Sequence, residues 1–574
     1  MIDTKPEFLR TDLLVIGGGA AGCMAAVEAR AVDSSRDVLI LEKADIVRSG
    51  CVAAGLNAVN AYLRADQSPE SYLESTRRDS HGLVREDLVL SFAQGLHEAT
   101  HLVESWGMQI HRDADGNPIS KGPRSIQIRG ESLKLVLAER VYASGARVRN
   151  RVAVTNLIVR DGRVAGAFGV DVRTGKLVVV SAGAVICATG GAAGLYPPRS
   201  DGSMMSRLWY SPYNVGSGYA VGLRAGAELT TLEMRFIPTR VRHVQAPTGT
   251  LVQAFGAKQV NALGEEFAKA RAGYDGGRKP TLPQQLAAMM DELRAGRGPI
   301  YLDLSHLRTE KVDEAARAYL DMAPSLLLYL GTLAGKEGPL RIEMGTSGPY
   351  LLGGHTAAGY WVDVDRRTSL PGLYAAGDVA GGAPKKYVSG AWVEARIAAR
   401  TALAECARVE EPESSAWKEE MRRVLAPLRR GLLGRVGLSH EDVLRRLQRI
   451  MDEYAGGPST FFDLHPKRLE VAREELRSLG SHLDHLQASN AHQLMLVHEV
   501  VDRIDVARAL VEHLLARDER RWPGYQHRVD VAEPDADAPL YFLVSRRDAD
   551  TGEVRVERRP HQGPSELRFA HAGG

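Results

Sequence analysis

The chain runs to 574 residues, with 73 basic against 71 acidic side chains, a net charge of +2 and a hydrophobic fraction of 44%. That balance offers no electrostatic field for a nucleic acid, and no run approaches the ~18 consecutive apolar residues that span a bilayer. The four cysteines, Cys23, Cys51, Cys187 and Cys406, form no CxxC pair, which leaves no recognisable disulfide scaffold or four-cysteine iron-sulfur cluster, and no metal site is expected.

The length calls for two or three domains. The amino-terminal segment lacks the basic, apolar and small-residue succession of a signal peptide, so a cytoplasmic location is expected. The first element, "DLLVIGGGAAGCMAAVEARA", reads as a buried strand, a glycine turn and an alanine-rich helix, the context a dinucleotide fingerprint requires. Gly17 permits the tight turn, Gly19 admits the backbone to a pyrophosphate, and Gly22 lets helix and strand pack closely, with the helix amino terminus supplying amide donors. A second strand, "DVLILEK", ends at Glu42, where a carboxylate would accept the hydroxyls of an adenosine ribose, and Lys43 follows as a further candidate contact. The stretch "EKADIVRSGCVAAGLNAVNAY", residues 42 to 62, is where a flavin ring would lie against the chain, which makes Ser49, Gly50 and Gly55 candidates.

Two later segments favour FAD over NAD. "AGAVICATGG" is a buried strand ending in Thr189, Gly190 and Gly191; "GLYAAGDVAGG" is another, presenting Asp378 to a ribityl or ribose hydroxyl. Such returns to one sheet suit an extended cofactor, although a Gly-Asp pair also forms ordinary turns. Residues 281 to 322 alternate helical runs with the strand "GPIYLDLSHL". From "SAWKEEMRRVLAPLRR" to "EVVDRIDVARALVEHLLARDERR" apolar residues recur at helical spacing, as in a packed bundle. The remainder carries strand and turn signals without helical periodicity, either a docking tail or a local hairpin closing the chain's own fold.

Together these segments resemble the fumarate reductase and succinate dehydrogenase flavoprotein superfamily. The resemblance implies an α/β fold: a Rossmann-like FAD-binding domain interrupted by an α+β capping domain and followed by a helical C-terminal domain. On this sequence that places FAD-binding parts at residues 1–240 and 341–405, the cap at 241–340, the helical domain at 406–520 and a tail at 521–574. The dicarboxylate enzymes of the superfamily carry three histidines that this chain lacks. Gly50 in "RSGCVAA" stands for the histidine of RSHTVAA that bonds the flavin covalently, so the FAD should be noncovalent. Ile237 in "RFIPTR" replaces the histidine of HPTG, with Arg240 in place of its glycine, and Pro349 in "PYLLGG" replaces the histidine of HYTMGG. Lys386 in "KKYVSGAW" stands for the dicarboxylate-binding arginine of NRLGSNSL, a point charge in place of a bidentate fork.

These departures resemble one branch, the adenylylsulfate reductase alpha subunits, through "RSGCVAAGLNAVNAY", "WYSPYNVGSGYAVGLRAGAEL", "RFIPTR", "GGHTAAGYWV", "KKYVSGAWVEARIAA" and "RRWPGY". The branch implies an anionic substrate, adenosine 5′-phosphosulfate, whose sulfur is attacked by reduced flavin through N5. AMP leaves, and a flavin-sulfite adduct decomposes to sulfite. In that setting Arg240 binds the sulfo group, Trp209 covers the flavin ring, His355 donates to sulfite or the leaving oxygen, and Asn60 hydrogen-bonds the oxyanion. Ser389 and Gly390 are expected to open a helix whose amino terminus stabilises charge on the flavin. Cys51 is read as a small packing residue that could also be redox-active. The implied electron source is a ferredoxin-like iron-sulfur subunit. A fumarate reductase-like enzyme acting on another small acceptor, and an electron-relay flavoprotein subunit, are the competing readings.

Overall fold

The computed structural model describes the chain apart from residues 1–4, 62–66, 121–123, 198–209, 243–254, 269–279, 321–323, 335–338, 411–413, 435–436, 523, 533–537 and 562–574. Its central sheet is built around Glu7–Ile16, which runs parallel to Val38–Glu42 on one side and Leu177–Cys187 on the other. Arg147–Asn150 extends the sheet beyond Val38–Glu42, and Leu373–Ala375 pairs in parallel with Leu177–Cys187. Arg163–Asp171 and Val152–Arg160 add an antiparallel meander at the far side. The sequence "VLILE" is buried at every position because the strand is packed between the helix Ala20–Val32 and the strand Val152–Arg160, so it shows no polar alternation.

One helix, Ala20–Val32, follows the glycine turn, and Tyr387–Ala404 packs along it. Alanines mark that contact: Ala25, Ala26, Ala395, Ala398 and Ala399 are fully buried, and the small side chains let the helix axes approach. Since parallel strands end at the same edge, the register Ile16↔Cys187 and Ala375↔Cys187 delivers Gly17, Thr189 and Asp378 to one crevice. That is where open parallel sheets bind ligands.

A second, antiparallel sheet orders Thr239–Val241, Arg341–Thr346, Ile300–Asp303 and Lys258–Val260. Leu286, Met289 and Met290 of the helix Leu282–Arg294 share a core with Ile300, Leu302, Ile342 and Met344. That helix begins in a capping box between Thr281 and Gln284 with proline in its first turn, a strong local start signal. This is the cap. The helices Ser414–Leu432, His440–Tyr454, Pro466–Ser481 and Ala491–Ala516 form the C-terminal helical region. It is pinned to the sheet by half-buried Arg224, paired with Asp502 at 2.8 Å and Asp505 at 2.7 Å and bonded to the Thr155 carbonyl at 2.8 Å.

After the bundle, Tyr541–Arg547 and Val554–Pro560 form an antiparallel hairpin whose first strand pairs with Leu229–Thr230. The segment thus forms a hairpin joined to the chain's own fold. A buried network beneath it joins Glu233 to His513 at 2.8 Å and to Arg517 at 2.5 Å. Among the described residues no helix is long and apolar enough to cross a membrane.

Candidate cofactor and substrate site

The glycine turn is fixed by backbone contacts. Gly17 has φ +99°, and a Cβ there would lie 2.7 Å from the Ala188 carbonyl oxygen; one on Gly22 would lie 1.8 Å from that of Gly17. Around Gly19, by contrast, an added Cβ would meet nothing within 4 Å. Close packing behind and open space in front is the cradle a pyrophosphate needs, and the residues present fit the cofactor. Glu42, buried at the end of its strand, accepts the Gly18 amide at 2.7 Å and the Ala44 amide at 2.7 Å. Each carboxylate oxygen retains acceptor capacity for a ribose hydroxyl. Lys43 differs from expectation: its Nζ donates to Glu499 at 2.6 Å and to the Tyr213 carbonyl at 2.5 Å. Its side chain therefore ties the sheet to the helix Ala491–Ala516, leaving only its backbone for a cofactor.

Ser49 is buried with Oγ 3.5 Å from the Gly18 carbonyl, and Gly50 rests on the turn itself. At φ +80° a Cβ on residue 50 would lie 3.0 Å from the Gly19 Cα, so a histidine here would be strained and crowded. Gly55 also has a left-handed φ, +90°. The Cys51 thiol is pushed up to about 12 by burial, with the Asp378 charge adding to it. It is held as the protonated, weakly nucleophilic form, in keeping with a packing role.

Across the crevice, Asp378 is the hub. Its Oδ2 accepts the Tyr210 hydroxyl at 2.7 Å, and the same hydroxyl accepts the Gly191 amide at 3.0 Å and the Asn214 side-chain amide at 3.2 Å. The Asp378 carbonyl accepts from Tyr219 at 2.8 Å. Burial raises the Asp378 carboxyl above its ordinary value. Gly190 has φ +75°, and Thr189 Oγ1 lies 3.6 Å from Cys187 Sγ. Tyr210 was not singled out from the sequence; its only signal was its place inside "WYSPYN".

Lys386 also departs from expectation. It is fully buried and turned inward, with Nζ 2.9 Å from Glu394 and 2.8 Å from the Ala380 carbonyl. Glu394 in turn accepts the Gly377 amide at 3.0 Å and faces Arg366 at 3.3 Å. Lys386 thus braces the turn carrying Asp378 and stands in for no substrate-binding arginine. The helix starts at Tyr387, two residues before Ser389. Ser389 Oγ donates to the Asn60 carbonyl at 2.5 Å, and Gly390 is packed so that a Cβ would touch Lys386 at 2.6 Å. Both lie within the first turn, and Ser389 anchors the strand Ala58–Asn60 that carries Asn60.

His355 is held by aromatic packing. Phe236 and Tyr350 exchange backbone hydrogen bonds of 2.9 Å in both directions, which sets "RFIPTR" beside "PYLLGGHTAAG". The Phe236 ring then lies 4.6 Å from His355, whose other side meets the edge of Tyr387 at 4.9 Å. Burial, reinforced by the Lys385 charge, pushes His355 down to about 3. At neutral pH the imidazole is therefore neutral, with one donor and one acceptor nitrogen. Lys385 Nζ pairs with Asp79, and its carbonyl accepts the Tyr72 hydroxyl at 2.6 Å. Arg240 is 2% exposed and stands opposite Gly345 in the cap sheet. Ile237, three residues earlier, is 1% exposed and packs in the apolar core of the cap. Trp209 lies outside the described residues.

The fold and the glycine turn define an FAD-binding flavoprotein. The sequence matches the FAD binding domain family over residues 12–391. It is 30% identical to the adenylylsulfate reductase subunit alpha of Megalodesulfovibrio gigas, over 96% of this chain and 95% of that one. Identity to a fumarate reductase flavoprotein subunit of Mycobacterium tuberculosis is 28%, over 96% and 97%. A solved structure of adenosine-5-phosphosulfate reductase in complex with sulfite, as a covalent adduct, matches with a TM-score of 0.91 at 35% identity, covering 98% of this chain and 97% of that chain. The chain belongs to the fumarate reductase and succinate dehydrogenase superfamily of FAD-dependent oxidoreductases, in its adenylylsulfate reductase alpha-subunit branch.

Proposed function

We propose that the protein is the catalytic flavoprotein subunit of an adenylylsulfate reductase, interconverting adenosine 5′-phosphosulfate with sulfite and AMP. The observation that carries this reading is the fate of the three positions where a dicarboxylate enzyme needs donors. Ile237 is buried apolar packing, Pro349 has no side-chain donor, and Lys386 is committed to Glu394. On this reading the groups left to meet the substrate are a buried guanidinium, Arg240, and a neutral imidazole, His355. A permanently charged fork suits a sulfo group, and a neutral imidazole can donate to a leaving phosphate oxygen without repelling a neighbouring cation.

The cofactor, once bound, supplies the two-electron chemistry at sulfur. In reduction, two electrons break the S–O bond to phosphate, and sulfite and AMP depart. The chain's own residues bind, orient and exclude water. Gly17, Gly19, Gly22, Glu42, Ser49, Gly50, Gly55, Thr189, Gly190, Gly191 and Asp378 hold noncovalent FAD, with Ser389 and Gly390 in the helix turn beside it. Arg240 and Asn60 bind the sulfo oxyanion, His355 faces the leaving group, and Trp209 walls the ring. The bundle and tail boundaries given above belong to the same reading, as does a cytoplasmic location, while the cap is taken to include the sheet strands Thr239–Val241 and Arg341–Thr346 on either side of 241–340. Electrons come from a ferredoxin-like iron-sulfur subunit, since four scattered cysteines cannot hold such clusters here. The test is sulfite titration of the purified flavoprotein. Bleaching of the flavin absorbance, with AMP-dependent sulfite oxidation by an artificial acceptor, is expected. An unbleached spectrum together with succinate oxidation would contradict it.

A further inference from the structure

Against the glycine turn sits a charge that none of the roles above uses. The helix Leu133–Ala143 packs against Ala20–Val32, and its second residue, Lys134, is 0% exposed. Its Nζ donates to the carbonyl oxygen of Gly18 and lies 3.4 Å from Cys23 Sγ. Among the described residues no carboxylate is ion-paired to it. The Gly18 amide on the other side of the same residue is taken by Glu42 at 2.7 Å. Gly18 is thus gripped at both ends by buried charges of opposite sign.

A buried ammonium whose direct contacts are a carbonyl and a thiol is costly; the Glu42 carboxylate on the Gly18 amide offsets part of that cost, and an anion in front of the turn would offset more. The peptide between Gly18 and Gly19 shows where that anion sits. In a trans peptide the carbonyl and the amide N–H point in opposite directions. An ammonium on the Gly18 oxygen therefore aims the Gly19 N–H away from Lys134, toward the open side of the turn, where an added Cβ on Gly19 would meet nothing within 4 Å. The positive charge also polarises that amide into a stronger donor.

We propose that Lys134 is a positioning residue for the FAD pyrophosphate, acting through the Gly18–Gly19 peptide. It fixes the orientation of that peptide and adds a desolvated positive charge to the helix amino terminus facing the diphosphate. The proposal rests on FAD occupying the glycine turn and is independent of which acceptor the enzyme reduces.

The test compares wild type, Lys134→Met and Lys134→Gln as full-length chains, reading FAD dissociation by recovery of free-flavin fluorescence on dilution. Thermal midpoints are read with FAD and after its removal. Both variants should bind FAD at least tenfold more weakly. Any fall in midpoint should be larger with FAD than without it, because the charge acts on the bound diphosphate. Lys134→Gln keeps a donor to Gly18 without the charge and so preserves the fold should the methionine variant misfold. FAD affinity equal to wild type in the glutamine variant would overturn the proposal. So would an equal fall in midpoint with and without FAD, which would make Lys134 a pin for its helix alone. A wild-type chain that failed to retain FAD would instead overturn the cofactor reading itself.

Discussion

The glycine turn and the His355 pocket hold their occupants by opposite means. The turn is a backbone device: at Gly17 and Gly22 the space for a side chain is filled by main-chain atoms 2.7 Å and 1.8 Å away, and its polar contacts are amides and carbonyls. The His355 pocket is a side-chain device, in which Phe236, Tyr387 and Lys385 flank an imidazole with two rings and one charge. Backbone devices tolerate almost no substitution but depend little on the rest of the sequence. Side-chain devices can be retuned residue by residue, and in this chain the acceptor end of the site is the one that departs from the dicarboxylate pattern.

The sharpest way to break this contrast is Gly22→Ala. A methyl group driven into the Gly17 carbonyl should cost about 3 kcal/mol or more, and the purified variant should carry no flavin by its absorbance ratio. Arg240→Ala comes next. It should lower kcat/KM for phosphosulfate by roughly thirtyfold, about 2 kcal/mol, while flavin content stays at the wild-type level. Arg240→Lys should recover only part, because a point charge replaces a fork. Glu42→Ala should weaken FAD by about 1.5 kcal/mol through loss of charge-assisted hydrogen bonds, measured by equilibrium dialysis, and leave KM for substrate unmoved.

A further effect concerns pH. His355 is held near 3 in the fold against 6.5 when free, so the unfolded chain binds the extra proton between those values. Stability from this group is complete above pH 6.5 and is lost progressively as pH falls toward 3. His355→Asn should flatten that slope in urea midpoints taken at pH 7 and pH 5. In wild type the activity profile should show no imidazole inflection between pH 5.5 and 8.

The same contrast decides what the sequence could reveal. Gly17, Gly19, Gly22 and Glu42 were legible because their requirements are local: a left-handed turn, a close helix and a strand end. The approach of Phe236 to His355 was not, since it depends on an isolated bridge between Phe236 and Tyr350, segments far apart in the chain. Lys385 and Lys386 show the limit most plainly. Left-handed backbone at Lys385, φ +61°, and at Tyr387, φ +51°, breaks any periodicity. Of two adjacent lysines, the motif pointed to Lys386, which lies in the core, whereas Lys385 is the one beside His355. Strand propensity near residue 541 was visible in the same way, but its partner at Leu229–Thr230 was not.

The central claim, that the acceptor end is built for a phosphosulfate and not for a dicarboxylate, is tested most directly by anaerobic turnover of the holoprotein with a reduced two-cluster ferredoxin as donor. Adenosine 5′-phosphosulfate and fumarate are offered in separate reactions. The account predicts release of sulfite and AMP in equal amounts from the first and no succinate from the second. Succinate formation without sulfite release would contradict it.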